Sequence, residues 1–255
     1  MQTREDQKLR HQLRLGKISD NLITYHDPKS AAAEAFRSLR TNIGFAGIDK
    51  KLKMIVFTSP SPVDGKSTTA SNFAVTMAQT EKRVLLLDCD LRNPKLHKFF
   101  GINNDVGLTH ILTDMIIEDQ PLASMAKTVR NINNLYIITS GFIPPNPTEI
   151  LASKKMETVL EQLTKEFDLV VIDTPPVGSL TDAAILGKIA DGVILVLASG
   201  ETNIEMAIHA KKALDNVEAK ILGAVLTKLD KSSSGYYYYK YYNYNYYYYG
   251  EDEEK

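Results

Sequence analysis

Tryptophan is absent from the 255 residues and cysteine occurs once, at Cys89. One thiol excludes an intrachain disulfide, and no Cys/His group has zinc-site spacing, so neither a disulfide framework nor a zinc-knit domain is expected; this usage suits a reducing compartment. An excess of one charge sign is also missing. Thirty Lys and Arg face 31 Asp and Glu, for a formal net charge of -1, which gives no support to a basic nucleic-acid binder. The longest apolar runs, such as "GVILVLA", fall far short of the roughly 18 residues a spanning helix needs, and the opening "MQTREDQKLRHQLRLGK" is too polar for a signal peptide. Work at a membrane therefore requires another molecule as anchor. Finally, tyrosine is nearly missing from most of the chain. Only Tyr25 and Tyr136 precede the terminal stretch "GYYYYKYYNYNYYYYGEDEEK", which holds the rest of the thirteen.

What is present is 44% apolar residues, enough for a packed core, arranged as short runs between helical patterns. "KMIVFTS", "RVLLLDCD", "LYIITSG", "DLVVIDTPP", "GVILVLASG" and "ILGAVLTKL" are continuous and rich in branched residues, as expected of strands buried on both faces. The intervening helices predict parallel crossovers. The expected fold is a doubly wound α/β domain with a mostly parallel sheet. Residues 1–30 read as an N-terminal lead-in, irregular from Gly16 to about Pro28, residues 31–230 as the domain, and 231–255 as a flexible tyrosine-rich tail without aliphatic periodicity. "AAAEAFRSLRTNI" predicts a helix over 31–43 with Ala32, Phe36, Leu39 and Ile43 on one face. Beside it Glu34, Arg37 and Arg40 form a stripe, which is either a solvated face or an oligomer contact.

Gly65-Lys66-Ser67-Thr68, in "FTSPSPVDGKSTTASNFA", falls between a predicted strand and a predicted helix. Backbone N–H groups of such a turn converge, the helix N-terminus adds partial positive charge, Lys66 reaches β/γ phosphates and Ser67 can ligate Mg2+. Pro60 replaces the first glycine of the usual eight-residue pattern. In "LLLDCDLR", Asp88 and Asp90 point to one side of an extended strand end and Cys89 to the other. Asp173 ends a further strand in "LVVIDTPP", and ligands of open parallel sheets sit beyond the strands' carboxyl ends. The three aspartates are expected to gather on phosphates held by Lys66, and their mutual repulsion calls for a hard cation, so Mg-ATP is the implied ligand. Arg92 either pairs with a neighbouring aspartate or stabilises transferred phosphate. In "IPPNPTEIL", Asn146 is placed as an N-cap, Pro147 as the first helical residue and Glu149 as the return partner of a capping box. Cys89 reads as a small core residue and none of the histidines has a ligand spacing.

The motifs "EAFRSLR", "SPVDGKST", "LLLDCDLR", "IPPNPTEIL" and "VVIDTPP", followed by the tyrosine cluster, together resemble the bacterial tyrosine kinases. The resemblance is to the cytoplasmic kinase subunits of capsular or exopolysaccharide production, and it spans about Ala31 to Asp230 plus the tail. It implies a P-loop NTPase fold of the ParA/MinD-like type and ATP-dependent protein-tyrosine kinase activity. By position it implies phosphate and Mg2+ contacts at Asp64, Gly65, Lys66, Ser67 and Thr68, metal ligation by Ser67, Asp90 and Asp173, and catalytic roles for Lys66, Asp88, Asp90, Asp173 and Arg92. It places the subunit contact of a homo-oligomeric ring on Glu34, Arg37 and Arg40. It also implies a separate membrane-spanning activator of the polysaccharide co-polymerase type, recruitment from the cytoplasm to the inner membrane face, and a tyrosine phosphatase as the opposing enzyme; no nucleic-acid partner is expected. Related ATPases often carry an asparagine facing the adenine after the last strand, whereas this chain has Thr227.

Asp88 is the candidate to take a tyrosyl proton, and Tyr236, Tyr237, Tyr238, Tyr239, Tyr241, Tyr242, Tyr244, Tyr246, Tyr247, Tyr248 and Tyr249 are the candidate acceptors. An extended chain from Asp230 to Tyr249 spans roughly 60 Å, enough to reach a neighbour's site. The other uses of such a tail are stacking and self-association. Two rival classes are a ParA/MinD-like switch ATPase, whose second lysine falls at the position of Ser61 here, and a non-catalytic scaffold. The basic residues Arg4, Lys8, Arg10, Arg14 and Lys17 read equally as a solvated leader or as a contact for the activator or anionic lipid.

Overall fold

The computed structural model describes residues 16–47, 51–113 and 121–229. The tyrosine cluster, the acidic terminus and four of the leader's basic residues (Arg4, Lys8, Arg10 and Arg14) lie outside these ranges. The order is α1 (Ile23–His26), α2 (Ala31–Ala46), β1 (Met54–Thr58), α3 (Lys66–Ala78), β2 (Val84–Asp88), α4 (Leu96–Phe100) and α5 (Leu108–Leu112). A 3-10 turn (Leu122–Met125), β3 (Lys127–Val129), β4 (Ile132–Ile138), α6 (Pro147–Leu151), α7 (Lys154–Glu166) and β5 (Leu169–Asp173) follow. The last elements are α8 (Asp182–Ile189), β6 (Gly192–Ala198), α9 (Ile204–Asp215) and β7 (Ile221–Thr227).

The strands form one sheet in the order β3-β4-β2-β5-β1-β6-β7, with every pairing parallel except β3 with β4. Each apolar run picked out in the sequence is one of the six parallel strands. The short antiparallel β3 was not expected, because its three residues carry no run of apolar side chains. β1, β2 and β5 are buried at every position. Alternate residues of these strands feed two cores, one per face. Leu85, Leu87 and Cys89 pack with Met156, Leu160 and Leu163 of α7 and Leu186 of α8. Ile55, Phe57 and Leu86 pack with Phe73 and Met77 of α3 and Leu96 of α4. Helices on both faces are what continuous apolar strands require. Among the described residues no helix is long and apolar enough to cross a membrane.

Two segments depart from the expected local structure. Helix α2 begins one residue after Ser30, whose hydroxyl accepts from Ala33 N at 3.2 Å, and it runs to Ala46. Ala33 rather than Ala32 is the buried alanine of its inner face. The lead-in from Gly16 is docked: Gly16 N donates to Gly101 O at 2.7 Å, Ser19 N to Phe99 O at 2.8 Å, and Leu22 is fully buried. Burying that leucine contributes about 2 kcal/mol. Gly101 sits at φ +61, and a Cβ there would lie 2.6 Å from Lys17 O, so only glycine lets the lead-in pass so close. The lead-in ends on Asn72 of α3, which accepts from Thr24 N at 3.0 Å and Thr24 Oγ1 at 2.9 Å and donates to Asn21 O and Thr68 O, both at 2.9 Å.

Candidate active site

The site is built where β1, β2 and β5 end. Phe57 of β1 and Asp88 of β2 are each in register with Asp173 of β5, so the two strand-end acids are cross-strand neighbours. After β1 the chain turns through residues 59–65 and enters α3 at Lys66. Phe57 and Phe73, with ring centroids 5.3 Å apart, fix the helix on its strand. Gly65 adopts φ 93, the left-handed conformation that glycine reaches at little cost, and leads into a helix end with no side-chain cap. The first-turn N–H groups of α3 therefore have no intrahelical acceptors and face the turn. The loop after β5 is fastened alongside: Thr174 Oγ1 donates to Phe57 O at 2.9 Å, Thr58 Oγ1 to Pro175 O at 3.0 Å, and Val177 N to Ser59 O at 2.9 Å.

Lys66 is buried at the centre. Its ammonium lies 3.0 Å from Asp90 Oδ2, 3.3 Å from Ser67 Oγ and 3.7 Å from Asp173 Oδ1. Burial works against its charge, but Asp173 and Asp90 outweigh it and hold the lysine above its ordinary pKa. Asp88 is fully buried; burial, reinforced by Asp173, pushes its pKa up to about 8 even though its oxygens accept from Asp90 N at 3.2 Å and Leu96 N at 3.1 Å. Burial likewise raises Asp173, opposed by Lys66 and Ser67, and neither of its buried oxygens accepts a hydrogen bond of good geometry. One ammonium stands among three buried acids. The free oxygens of Asp173 and the hydroxyl of Ser67 are hard donors that fit Mg2+. Among the described residues no three His, Cys, Asp or Glu side chains form a metal cage by themselves.

Other residues singled out in the sequence take less direct places. Asp64 is buried, and its carboxylate is occupied within the protein, accepting from Ser61 N at 2.8 Å and Thr202 Oγ1 at 2.9 Å. The half-buried Thr68 offers its carbonyl to Asn72. Arg92 pairs with an acid that sequence spacing did not suggest: Nε donates to the buried Asp182 at 3.0 Å and the terminal nitrogen to Thr148 Oγ1 at 2.8 Å. Thr148 Oγ1 in turn donates to Asp182 Oδ1 at 2.6 Å. This corrects the expected capping box. Pro147 does open α6, but the Asn146 side chain makes no cap hydrogen bond, and Thr148 locks the segment to α8 and to the β2 loop. Glu34 and Arg37 lie in the first two turns of α2, paired with each other at 2.6 Å, while Arg37 also reaches Pro28 O and Arg40 reaches Thr76 O on α3. Thr227 faces the phosphate turn, donating to Asp64 O at 2.7 Å. Thr148, Asp182 and Thr202 carried no sequence signal, since single polar residues joined across 34 to 138 positions leave no spacing to read.

A parallel sheet with a glycine-lysine-serine turn and acids at the neighbouring strand ends defines a P-loop NTPase. The MinD cell-division ATPase of Pyrococcus furiosus shares the fold, with a TM-score of 0.59 at 22% identity over 71% of this chain and 74% of that one. Residues 52–222 match the family model described as AAA domain. Tyrosine-protein kinase YwqD of Bacillus subtilis strain 168 is 44% identical over 224 residues, 87% of this chain and 92% of that protein. The crystal structure of the chimerical protein CapA2B2 is 35% identical with a TM-score of 0.78, covering 90% of this chain and all of that one. The chain belongs to the bacterial tyrosine-protein kinases.

Proposed function

We propose that this kinase uses Mg-ATP to phosphorylate its own C-terminal tyrosine cluster, in trans within a ring of subunits, and thereby regulates capsular or exopolysaccharide synthesis and export. The observation that carries the chemistry is Lys66, buried beside Asp90 and Asp173 at the foot of an uncapped helix. Lys66, the turn around Gly65 and the first N–H groups of α3 hold the phosphates, while Ser67 with Asp90 and Asp173 holds the metal, directly or through water. Bound Mg2+ supplies charge neutralisation on the phosphate oxygens. The tyrosyl oxygen bonds to the γ-phosphorus as the bond to the bridging oxygen breaks and ADP leaves. Asp88 takes the phenolic proton. Burial and the neighbouring Asp173 raise its proton affinity above that of an ordinary carboxylate. Asp88 is fully buried, so a tyrosyl oxygen reaches it only when the groups that cover it move.

The tail's uniform composition supports its assignment as substrate, because almost any register presents a hydroxyl. Each phosphate adds about -1.5 to -2 charges beside "EDEE", which drives the tail out and loosens the ring. Glu34, Arg37 and Arg40 are the proposed ring contact, and a membrane-spanning activator recruits the kinase from the cytoplasm. A tyrosine phosphatase resets it. Intact-protein mass spectrometry after incubation with Mg-ATP, with and without the activator's cytoplasmic segment, tests the reading. Successive additions in wild type that vanish in Lys66→Met and in a chain ending at Ser234 establish the autokinase. ATP consumption without phosphate on protein, even with activator, leaves a switch ATPase.

A further inference from the structure

The carboxylate of Asp64, in the turn that leads to Lys66, is engaged within the protein. Asp64 is only 2% exposed, and three parts of the chain converge on it. Ser61 N, inside the turn, donates to Oδ2 at 2.8 Å, Thr202 Oγ1 donates to Oδ1 at 2.9 Å, and Thr227 Oγ1 donates to the backbone oxygen at 2.7 Å. The directions are constrained. Ala198 N donates to Thr202 Oγ1 at 2.7 Å, leaving the hydroxyl proton for Asp64. The Thr227 hydroxyl has one other acceptor, Leu197 O, at the longer distance of 3.3 Å. Thr227 also packs on the turn, since a Cβ on Gly65 would meet its Cγ2 and Oγ1 at 3.4 Å. Thr202 lies between β6 and α9, and Thr227 closes β7.

We infer that Thr202 and Thr227 are positioning residues for nucleotide binding: through Asp64 they hold the turn's N–H groups in their anion-binding arrangement. Each hydroxyl proton is directed to Asp64 within the protein. Their contribution is preorganisation, since a turn already ordered in the free protein loses less freedom when the anion arrives. A hydroxyl bonded to a buried carboxylate is among the stronger neutral donors, and losing it leaves that carboxylate oxygen unmatched. The inference rests on the Mg-ATP site proposed above.

The test uses the full chain with Mg-ATP, a fluorescent ADP analogue as competitor, and Thr202→Val and Thr227→Val, which keep shape and remove the hydroxyl. Thr202→Val is expected to weaken nucleotide binding about ten-fold, the loss for a buried hydrogen bond to a charged group, and Thr227→Val about three-fold, since its hydroxyl donates to a neutral carbonyl; each raises the KM for ATP with little change in kcat. The double variant falls short of the product, because both act through Asp64. Thr202→Ser and Thr227→Ser restore affinity. Amide exchange across 61–66 in the ligand-free Val variants quickens while β1 and β5 keep their protection. Wild-type affinity in both Val variants, or a loss that serine does not restore, overturns the inference while leaving the site intact. If wild type and Lys66→Met bind Mg-ATP equally poorly, the site assignment itself falls and the inference with it.

Discussion

Helix α3 carries two buried polar clusters, Lys66 with its acids at the N-terminus and Asn72 less than two turns on, and they are finished differently. Asn72 has its side-chain oxygen and nitrogen both engaged, by Thr24 and by the carbonyls of Asn21 and Thr68. Around Lys66, the two buried oxygens of Asp173 accept no hydrogen bond of good geometry and have only the more distant Lys66 ammonium at 3.7 Å, and burial raises the pKa of both Asp88 and Asp173. Burying polar groups without partners costs free energy, so a folded chain tolerates it only where something else recovers the loss. The contrast separates a cluster that closes the fold from one left open for a ligand.

Breaking the open cluster has the largest expected effect. Lys66→Met lowers tyrosine phosphorylation about 10³-fold, the scale for removing a charge-stabilising donor from an active site, with circular dichroism unchanged. The intact-mass time course checks it. Breaking the closed cluster moves a different quantity. Asn72→Ala strands the Thr24 donors and the Asn21 carbonyl, costing about 3 kcal/mol in urea unfolding, while phosphorylation per folded molecule stays near wild type. A result in which Asn72→Ala abolishes activity at full stability erases the distinction. Between them lies Arg92, whose side chain is 37% exposed against a fully buried Asp182. Arg92→Ala is expected to cost about 2 kcal/mol, less than a fully buried pair because solvent screens the arginine, and the unfolding midpoint reads it. The exposed end of the scale is Arg37. Its pair with Glu34 is worth below about 0.5 kcal/mol to the monomer, so Arg37→Ala leaves the melting temperature in place. If α2 is the ring contact, the same variant lowers the mass seen by sedimentation.

The closed and open clusters were not equally legible in the sequence. Lys66, Ser67, Asp88, Asp90 and Asp173 stand in short motifs at strand ends, and parallel topology brings strand ends together, so a local pattern was enough to gather them. The six apolar runs announced themselves for a related reason, since burial on both faces leaves no polar alternation. Asn72, Thr24, Thr202 and Asp182 gave no such signal. Each is one polar residue in an ordinary setting, and its partner is chosen by the packed fold. The docking of Gly16 to Asp27 was hidden in the same way, because one buried leucine and a four-residue helix make no periodicity.

That docked segment has a mechanical consequence. It is clipped to α4 at Gly101 and Phe99, anchored by Leu22, and joined through Thr24 to the middle of α3. A pull applied ahead of Gly16 is thus delivered to the helix that bears Lys66 and Ser67, across several bonds loaded together. The segment from Gly16 to Thr24 is a handle on α3.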